Sequence, residues 1–394
     1  MCACCRYAKR AALLAALAAA PAAADPFYQS GNLQLQGFVA QTLITTSRNN
    51  FFGRTQDTLG TGFTEAGVNG VWQPHPGLLV AGQMLYRRAG KNDQRNVRLD
   101  YLQAVWPFWQ RADGTLELRA GKIKIPYGLY NETRDVPFTR PSILLPESIY
   151  FDTARNFALA APGAGFNARW QTALGEWQVN LAAVRPGQLD AATEANFLGS
   201  DRPGHLYSNA TYAAQLRWST MDQSTLLALS WVDARARYQP APGDPLGAGK
   251  VGYTPWVLSA QKHLGTVTLT TEYGCPRIRL YDFNLPAIDV RTRAWYVQGA
   301  WHIRPRWEAL LRYDSYISPL KNNPLAALSG NPYFSRYAKD WTAGLRWDVT
   351  PALMLRAEFH HVTGTIWLPA LDNPNPQQEG RVWNMGLLQA SWRF

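Results

Sequence analysis

The chain has 394 residues, a formal net charge of +11, 12% aromatic residues and only 17% charged residues. So little charge and so much aromatic surface exclude a disordered or highly solvated polypeptide. A basic surplus of this kind often marks a nucleic-acid binder, but the first residues of this chain point to export and to no nucleic-acid partner.

Residues 1–24 read as a secretory leader. Arg6, Lys9 and Arg10 precede the apolar run Ala11 to Ala20, and Ala22-Ala23-Ala24 offers a small-residue cleavage site before Asp25. The run is too short to span a bilayer as a helix. Cleavage leaves a formal surplus of eight positive charges and one cysteine, Cys275, which excludes an internal disulfide framework and a cysteine-based metal site. No cofactor or metal is expected. Downstream of the leader no stretch reaches the ~18 consecutive apolar residues of a transmembrane helix. An exported, aromatic-rich chain without such a helix fits a transmembrane β-barrel, whose apolarity is spread over alternate positions.

Sixteen strands can be walked in order. They are 33–45, 62–73, 78–86, 97–109, 115–125, 165–171, 177–184, 207–218, 225–238, 253–263, 266–280, 292–303, 307–317, 337–349, 353–367 and 381–394. Tight turns such as Pro74-His75-Pro76-Gly77, Arg111-Ala112-Asp113-Gly114 and Arg304-Pro305-Arg306 alternate with longer loops, and both ends of the walk lie on the tight-turn side. That asymmetry, with an even strand number, predicts an all-β antiparallel barrel as one domain over 25–394.

Several strands show two faces. Trp307, Ala309, Leu311 and Tyr313 alternate with Glu308, Arg312 and Asp314. Trp341, Ala343, Leu345 and Trp347 oppose Asp340, Thr342, Arg346 and Asp348, and Leu353, Leu355, Ala357 and Phe359 oppose Arg356, Glu358 and His360. The apolar face meets lipid, since an Arg or Lys facing the hydrocarbon midplane costs ~2–4 kcal/mol. The inward set is then Arg119, Arg217, Arg235, Arg237, Arg312, Arg346 and Arg356, with the acids Glu117, Asp233, Asp314, Asp348 and Glu358, and with Tyr207 and Tyr296. Three places resist. Val97–Trp106 can be phased either way; Lys122 and Lys124 share parity with Leu116 and Leu118; and Pro276 suggests a bulge that would return Arg277 and Arg279 to the inward face.

After the fifth strand, residues 121–161 break the pattern with Pro126, Pro137, Pro141 and Pro146. So long an irregular segment in a compact domain is usually functional. Proline restricts its freedom, which suits a stiff constriction folded into a wide aqueous lumen. Glu132, Arg134, Asp135, Arg140, Glu147, Asp152 and Arg155 supply charges of both signs. Set against the inward arginines they predict a mild preference for small anions.

The stretch GKIKIPYGLYNETRDVPFTRPSILLP resembles the corresponding region of the phosphate-selective porin O/P superfamily, in which a G-x-x-K-x-P-[FY]-G-L-like run enters a loop with Arg and Pro. The final MGLLQASWRF resembles the C-terminal strand signal by which bacterial outer-membrane barrels are recognised for assembly, so that Phe394 would engage the barrel-assembly machinery. The resemblance implies a Gram-negative outer-membrane porin, a homotrimer surrounded by outer-membrane lipid that passes small hydrophilic solutes and ions. Its phosphate-specific side is weakened by a lumen rich in Arg and poor in Lys. Three other readings compete. A soluble exported β protein, such as a carbohydrate-binding propeller, would need blade-like internal repeats, and none is found. A substrate-specific channel for sugars, organic acids or aromatic compounds would need more inward aromatics. A barrel hydrolase would need a nucleophile beside a base. No G-x-S-x-G or H-E-x-x-H run occurs, and His360 and His361 point to opposite faces, so no catalytic residue is assigned.

Overall fold

The computed structural model describes residues 26–319 and 331–394; the leader lies outside them. Sixteen antiparallel strands close on themselves. In chain order they are β1 Leu33–Thr46, β2 Gly60–His75, β3 Leu78–Ala89, β4 Asp93–Arg111, β5 Gly114–Lys124, β6 Ala160–Thr172 and β7 Gly175–Val184. The next five include four that are interrupted: β8 His205–Ser208 with Thr211–Ser219, β9 Thr225–Gln239, β10 Gly249–Thr254 with Trp256–Leu264, β11 Val267–Gly274 with Arg277–Tyr281, and β12 Ile288–Arg291 with Arg293–Arg304. The last four are β13 Trp307–Ile317, β14 Tyr337–Asp348, β15 Leu353–Gly364 and β16 Val382–Arg393. A further short strand, Tyr28–Ser30, folds back onto β1.

Each strand pairs with its sequence neighbours, and β16 pairs with β1 from Phe38–Arg393 to Thr46–Met385. At the seam Gly37 and Phe394 exchange both backbone bonds, at 2.7 and 3.0 Å. The Phe394 ring lies over Gly37, where a Cβ would approach it to 2.3 Å. Closure through β16 and β1 pairs the sheet's two ends with each other, which a bilayer requires.

The expected faces hold along β13, β14 and β15. Leu311 is 57% exposed while Arg312 beside it is 1% exposed, and Phe359 and His360 divide in the same way. Trp72, Trp106, Trp231, Trp301, Trp341 and Trp392 all face outward, as a lipid-facing surface with interfacial aromatic girdles requires.

Some inward assignments need correction. Arg235 and Arg237 are outward and exposed; Ala234, Ala236 and Tyr238 take the inward positions. Asp233 shares the outer face and pairs with Arg235 at 2.8 Å. The strand runs on past the outward Trp231 towards the long loops, and there an ion pair on the outer face is exposed. Tyr207, opposite Arg237, is outward as well, whereas Tyr296 is inward and fully buried.

No bulge forms at Pro276. Gly274 pairs with Val257 and Ile278 with Tyr253, so the register continues through the break. That register sets Pro276 opposite Pro255, each turned to its other neighbour: Pro255 O accepts from Val232 N–H at 3.1 Å and Pro276 O from Thr292 N–H at 2.9 Å, and each ladder lacks one donor there. Arg277 and Arg279 therefore stay outward, Arg277 pairing with Asp289. The ambiguous β4 has three irregularities, one of them near its start, where Arg87 pairs with Asn96 but Ala89 with Asp93. Asp100 is an extra residue against β3, and Phe108 is another against β5, so neither single phase fits the whole strand. In β5 the pairing with β6 is unbroken, but Gly121 at φ +124° re-aims the chain. Lys122 reaches Leu99 on the outside and Lys124 turns in.

Candidate functional site: the loop across the lumen

Residues 125–159 leave β5 and return to β6 inside the barrel. The neck is closed by Ile125 N–H to Leu159 O at 3.0 Å, and the Asn131 amide donates to Ile125 O and Ala158 O at 2.9 and 2.7 Å. Four prolines keep the segment from joining the sheet. Its backbone groups are satisfied instead by side chains of the barrel wall.

The loop first crosses to the far wall. Gly128 N–H donates to Ser230 Oγ at 3.1 Å, and Gln215 Nε2 donates to Gly128 O at 2.8 Å. Gly128 has φ +58°, and a Cβ there would meet the Tyr150 hydroxyl at 2.3 Å, so this close approach requires glycine. Next to it Glu272 collects Leu129 N–H, the Tyr150 and Tyr296 hydroxyls and Ser259, at 2.6 to 3.0 Å.

The loop then returns past β13 to β15 and β2. Arg356 donates to Pro137 O, Ser142 O and Arg140 O at 3.0, 3.3 and 2.5 Å. Arg312 donates to Leu144 O at 3.1 Å and Ser142 Oγ at 2.9 Å. Glu358 accepts from Ile143 N–H and Leu144 N–H, and Asp314 accepts from Ser148 N–H at 3.3 Å. Arg140 holds Glu65 with two bonds, at 3.2 and 2.6 Å. The apolar tip, Ile143, Leu144 and Leu145, packs among Phe51, Trp367 and Trp383.

The seven loop charges expected at the constriction are thus inside the barrel, but most are paired. Glu132 meets Arg119 at 3.3 Å, Asp135 meets Lys124 and Arg155, and Asp152 takes a bidentate Arg87 at 2.8 and 2.9 Å. Arg134 lies 3.6 Å from Asp152 and donates to Tyr150 O. Burial and the neighbouring Asp152 carboxylate push Glu147 up to about 8, although it accepts Asp152 N–H. Burial also lowers Arg134 and Arg155.

Among the described residues, Arg312 and Arg356 form no ion pair; carbonyl, hydroxyl and amide oxygens hold them. Arg217 and Arg346 are inward near the tight-turn end, Arg346 with Asp348 at 3.0 Å. Arg169, across Gln178 from Arg217, joins them. His360 lies 2.7 Å from Asp340 and 3.4 Å from Glu358, buried behind the loop. Among the described residues no group of three or more His, Cys, Asp and Glu is placed to hold a metal.

Sequence reasoning missed Glu65, Arg87, Arg169 and Glu272, and placed Asp340 on the inward face without giving it a role. Glu272 was legible, because Leu269, Thr271 and Tyr273 alternate with Thr270 and Glu272. Arg87 was hidden by its neighbour Arg88, which erases the alternation.

The wall is laterally divided. From β9 to β12 its half beyond the loop is apolar, with Val232, Ala234, Ile278, Leu280 and Ile288 facing in. Together with the loop and the helix Ala191–Leu198 it lines a partly open cavity of about 300 Å³.

No family model matches the sequence, and no curated protein is similar to it. Solved structures are similar in fold. The trimer form of OmpT, an outer-membrane protein of Vibrio cholerae, is 11% identical at a TM-score of 0.58, over 93% of this chain and 100% of that one. OmpF of Salmonella typhi, in complex with daunomycin, gives 11% and 0.58 over 94% and 100%. The outer-membrane channel DcaP of Acinetobacter baumannii gives 12% and 0.53 over 94% and 100%. The chain has the barrel fold of outer-membrane porins and channels.

Proposed function

We propose that the protein is a porin of the Gram-negative outer membrane, exported through a cleaved leader. It is a passive channel for small hydrophilic solutes and ions. The observation that carries this reading is the loop itself, tied across the lumen to β2, to β8–β12 and to β13–β15. An unobstructed barrel of this size would pass solutes almost without selection; a fixed crossbar leaves a defined, narrower passage.

The mild anion preference rests on Arg312 and Arg356, which form no direct ion pair among the described residues although Asp314 and Glu358 share their inward faces, and on Arg169, Arg217 and Arg346 nearer the tight-turn end. Cationic groups beside a constriction favour anions. Lys124 is committed to Asp135, so an arginine-rich lumen favours a broad preference over a phosphate-specific site. No catalysis is assigned, since His360 is enclosed by the loop and the wall.

A homotrimer is part of the proposal. The outer face from β16 to β3 carries Gly386, Gly37, Gly70 and Gly82, with Gln41 and Thr64 bonded to each other at 2.7 Å. These small and polar residues lie among exposed Val39, Val68, Met84 and Leu388, and this mixed face is the proposed contact with a second copy of this chain. Phe394 at the seam is the proposed contact for the barrel-assembly machinery.

The test is single-channel conductance and reversal potential of the refolded protein in planar bilayers across a salt gradient. Discrete steps with an anion-selective reversal potential are expected. A cation-selective potential would overturn the charge argument, and folded protein without conductance would overturn the channel.

A further inference from the structure

We infer that the apolar chamber above the loop is a binding site for small uncharged ring compounds that carry a hydroxyl group, phenols being the simplest. The inference builds on the channel reading, since it gives that channel a favoured solute class.

A porin lumen is ordinarily polar, yet here aromatic rings meet edge-on around one space. Phe157 and Phe197 are 5.7 Å apart at 90°, Phe197 and Tyr253 5.8 Å at 67°, and Phe151 and Tyr316 4.9 Å at 89°. The cavity of about 300 Å³ lies at the lower end of small-molecule sites. An apolar cavity of ~150 Å³ already takes benzene, so one substituted ring has room. Further ring contacts of the same geometry would favour it.

Polar groups on the wall choose the substituent. Asn131 lines the chamber and is 1% exposed. Its amide nitrogen already serves two carbonyls, which fixes the flip, and its Oδ1 has no partner. Thr211 Oγ1, also buried on the lining, has none either. A buried acceptor without a donor is costly, and a ligand hydroxyl would supply one. Charge gives no reason to prefer an ion. Arg134 shares Asp152 with Arg87, and Arg336 and Glu379 add ionisable groups of opposite sign, Glu379 pushed up to about 7 by burial.

The test is isothermal titration of the full-length refolded protein in detergent with phenol, anisole and benzoate. Phenol is expected to bind in the millimolar range or tighter. Anisole, which cannot donate, should bind roughly tenfold more weakly, and benzoate no more tightly than phenol. Phe197 sits on the helix Ala191–Leu198 and on no barrel strand, so Phe197→Ala should fold and weaken phenol roughly three- to tenfold. Tyr253→Leu serves as a second variant. Folding is checked by heat-modifiable migration.

Folded protein that takes up no phenol, binds anisole equally, prefers benzoate, or ignores both substitutions would overturn the inference. Protein that binds phenol with this pattern but does not conduct would retain the site and reject the channel. Protein that conducts but binds no phenol would do the reverse.

Discussion

Replacing Arg356 by methionine tests whether the loop is a latched crossbar. Methionine fills a similar volume but removes the donors that hold Pro137 O, Arg140 O and Ser142 O. A hydrogen bond from a charged donor contributes roughly 1.5–3 kcal/mol. The three bonds are not additive, the freed carbonyls regain water, and the buried guanidinium's own desolvation cost disappears with it. A net loss of about 3 kcal/mol for the docked loop is a fair figure, which is roughly a hundredfold in the ratio of released to docked states. Arg312 at Leu144 and Arg140 at Glu65 still hold, so the loop should be released intermittently while the barrel persists. In planar bilayers the variant should show excess open-channel noise and larger conductance excursions, at an unchanged heat-modification temperature. Conductance and noise indistinguishable from the parent would refute the latch.

The loop also makes stability depend on pH. Glu147, outside the spanning strands, has a folded value of about 8, above the ordinary carboxylate range. The fold therefore prefers its protonated form; that contribution is complete below the ordinary range and is lost as pH rises through about 8. The temperature at which the folded band disappears on gels should fall between pH 5 and pH 9, and Glu147→Gln should flatten the curve. At the seam, Gly37→Val puts side-chain atoms where the Phe394 ring lies; yield of heat-modifiable barrel should drop severalfold, and an undiminished yield would argue against ring packing as part of closure. On the proposed subunit face, a Cβ at Gly386 meets nothing closer than 3.5 Å. Gly386→Trp should then leave the monomer folded and abolish trimers on unboiled gels, and persistent trimers would move the interface elsewhere.

The strand count was legible because a period of two, repeated between turn residues, survives in a single sequence. β13 shows it: Trp307–Ile317 was bounded correctly at both ends. Orientation was less legible where strands run past the membrane. Arg235 and Arg237 look like lumen residues until Trp231 is seen on their side of the sheet. The long loop could be placed inside the barrel from its prolines and position, but its partners could not. Arg140 finds Glu65 and Arg356 finds Pro137 across more than seventy and two hundred residues respectively, and no local pattern encodes such pairings. Nor does alternation show that β9 to β12 turn small and apolar groups inward, because alanine and valine suit either face.

The same spread of partners orders the events by which the chain matures. The loop is bound by Glu65, Ser230, Glu272, Asp314 and Glu358, so its final seat does not exist until strands from β2 to β15 stand side by side. Contacts this distant in sequence must await ring formation. Until then the segment has no pocket to enter and its charges remain in water. Docking is therefore expected late in folding, after those strands have paired, and a barrel caught before it would have an open bore.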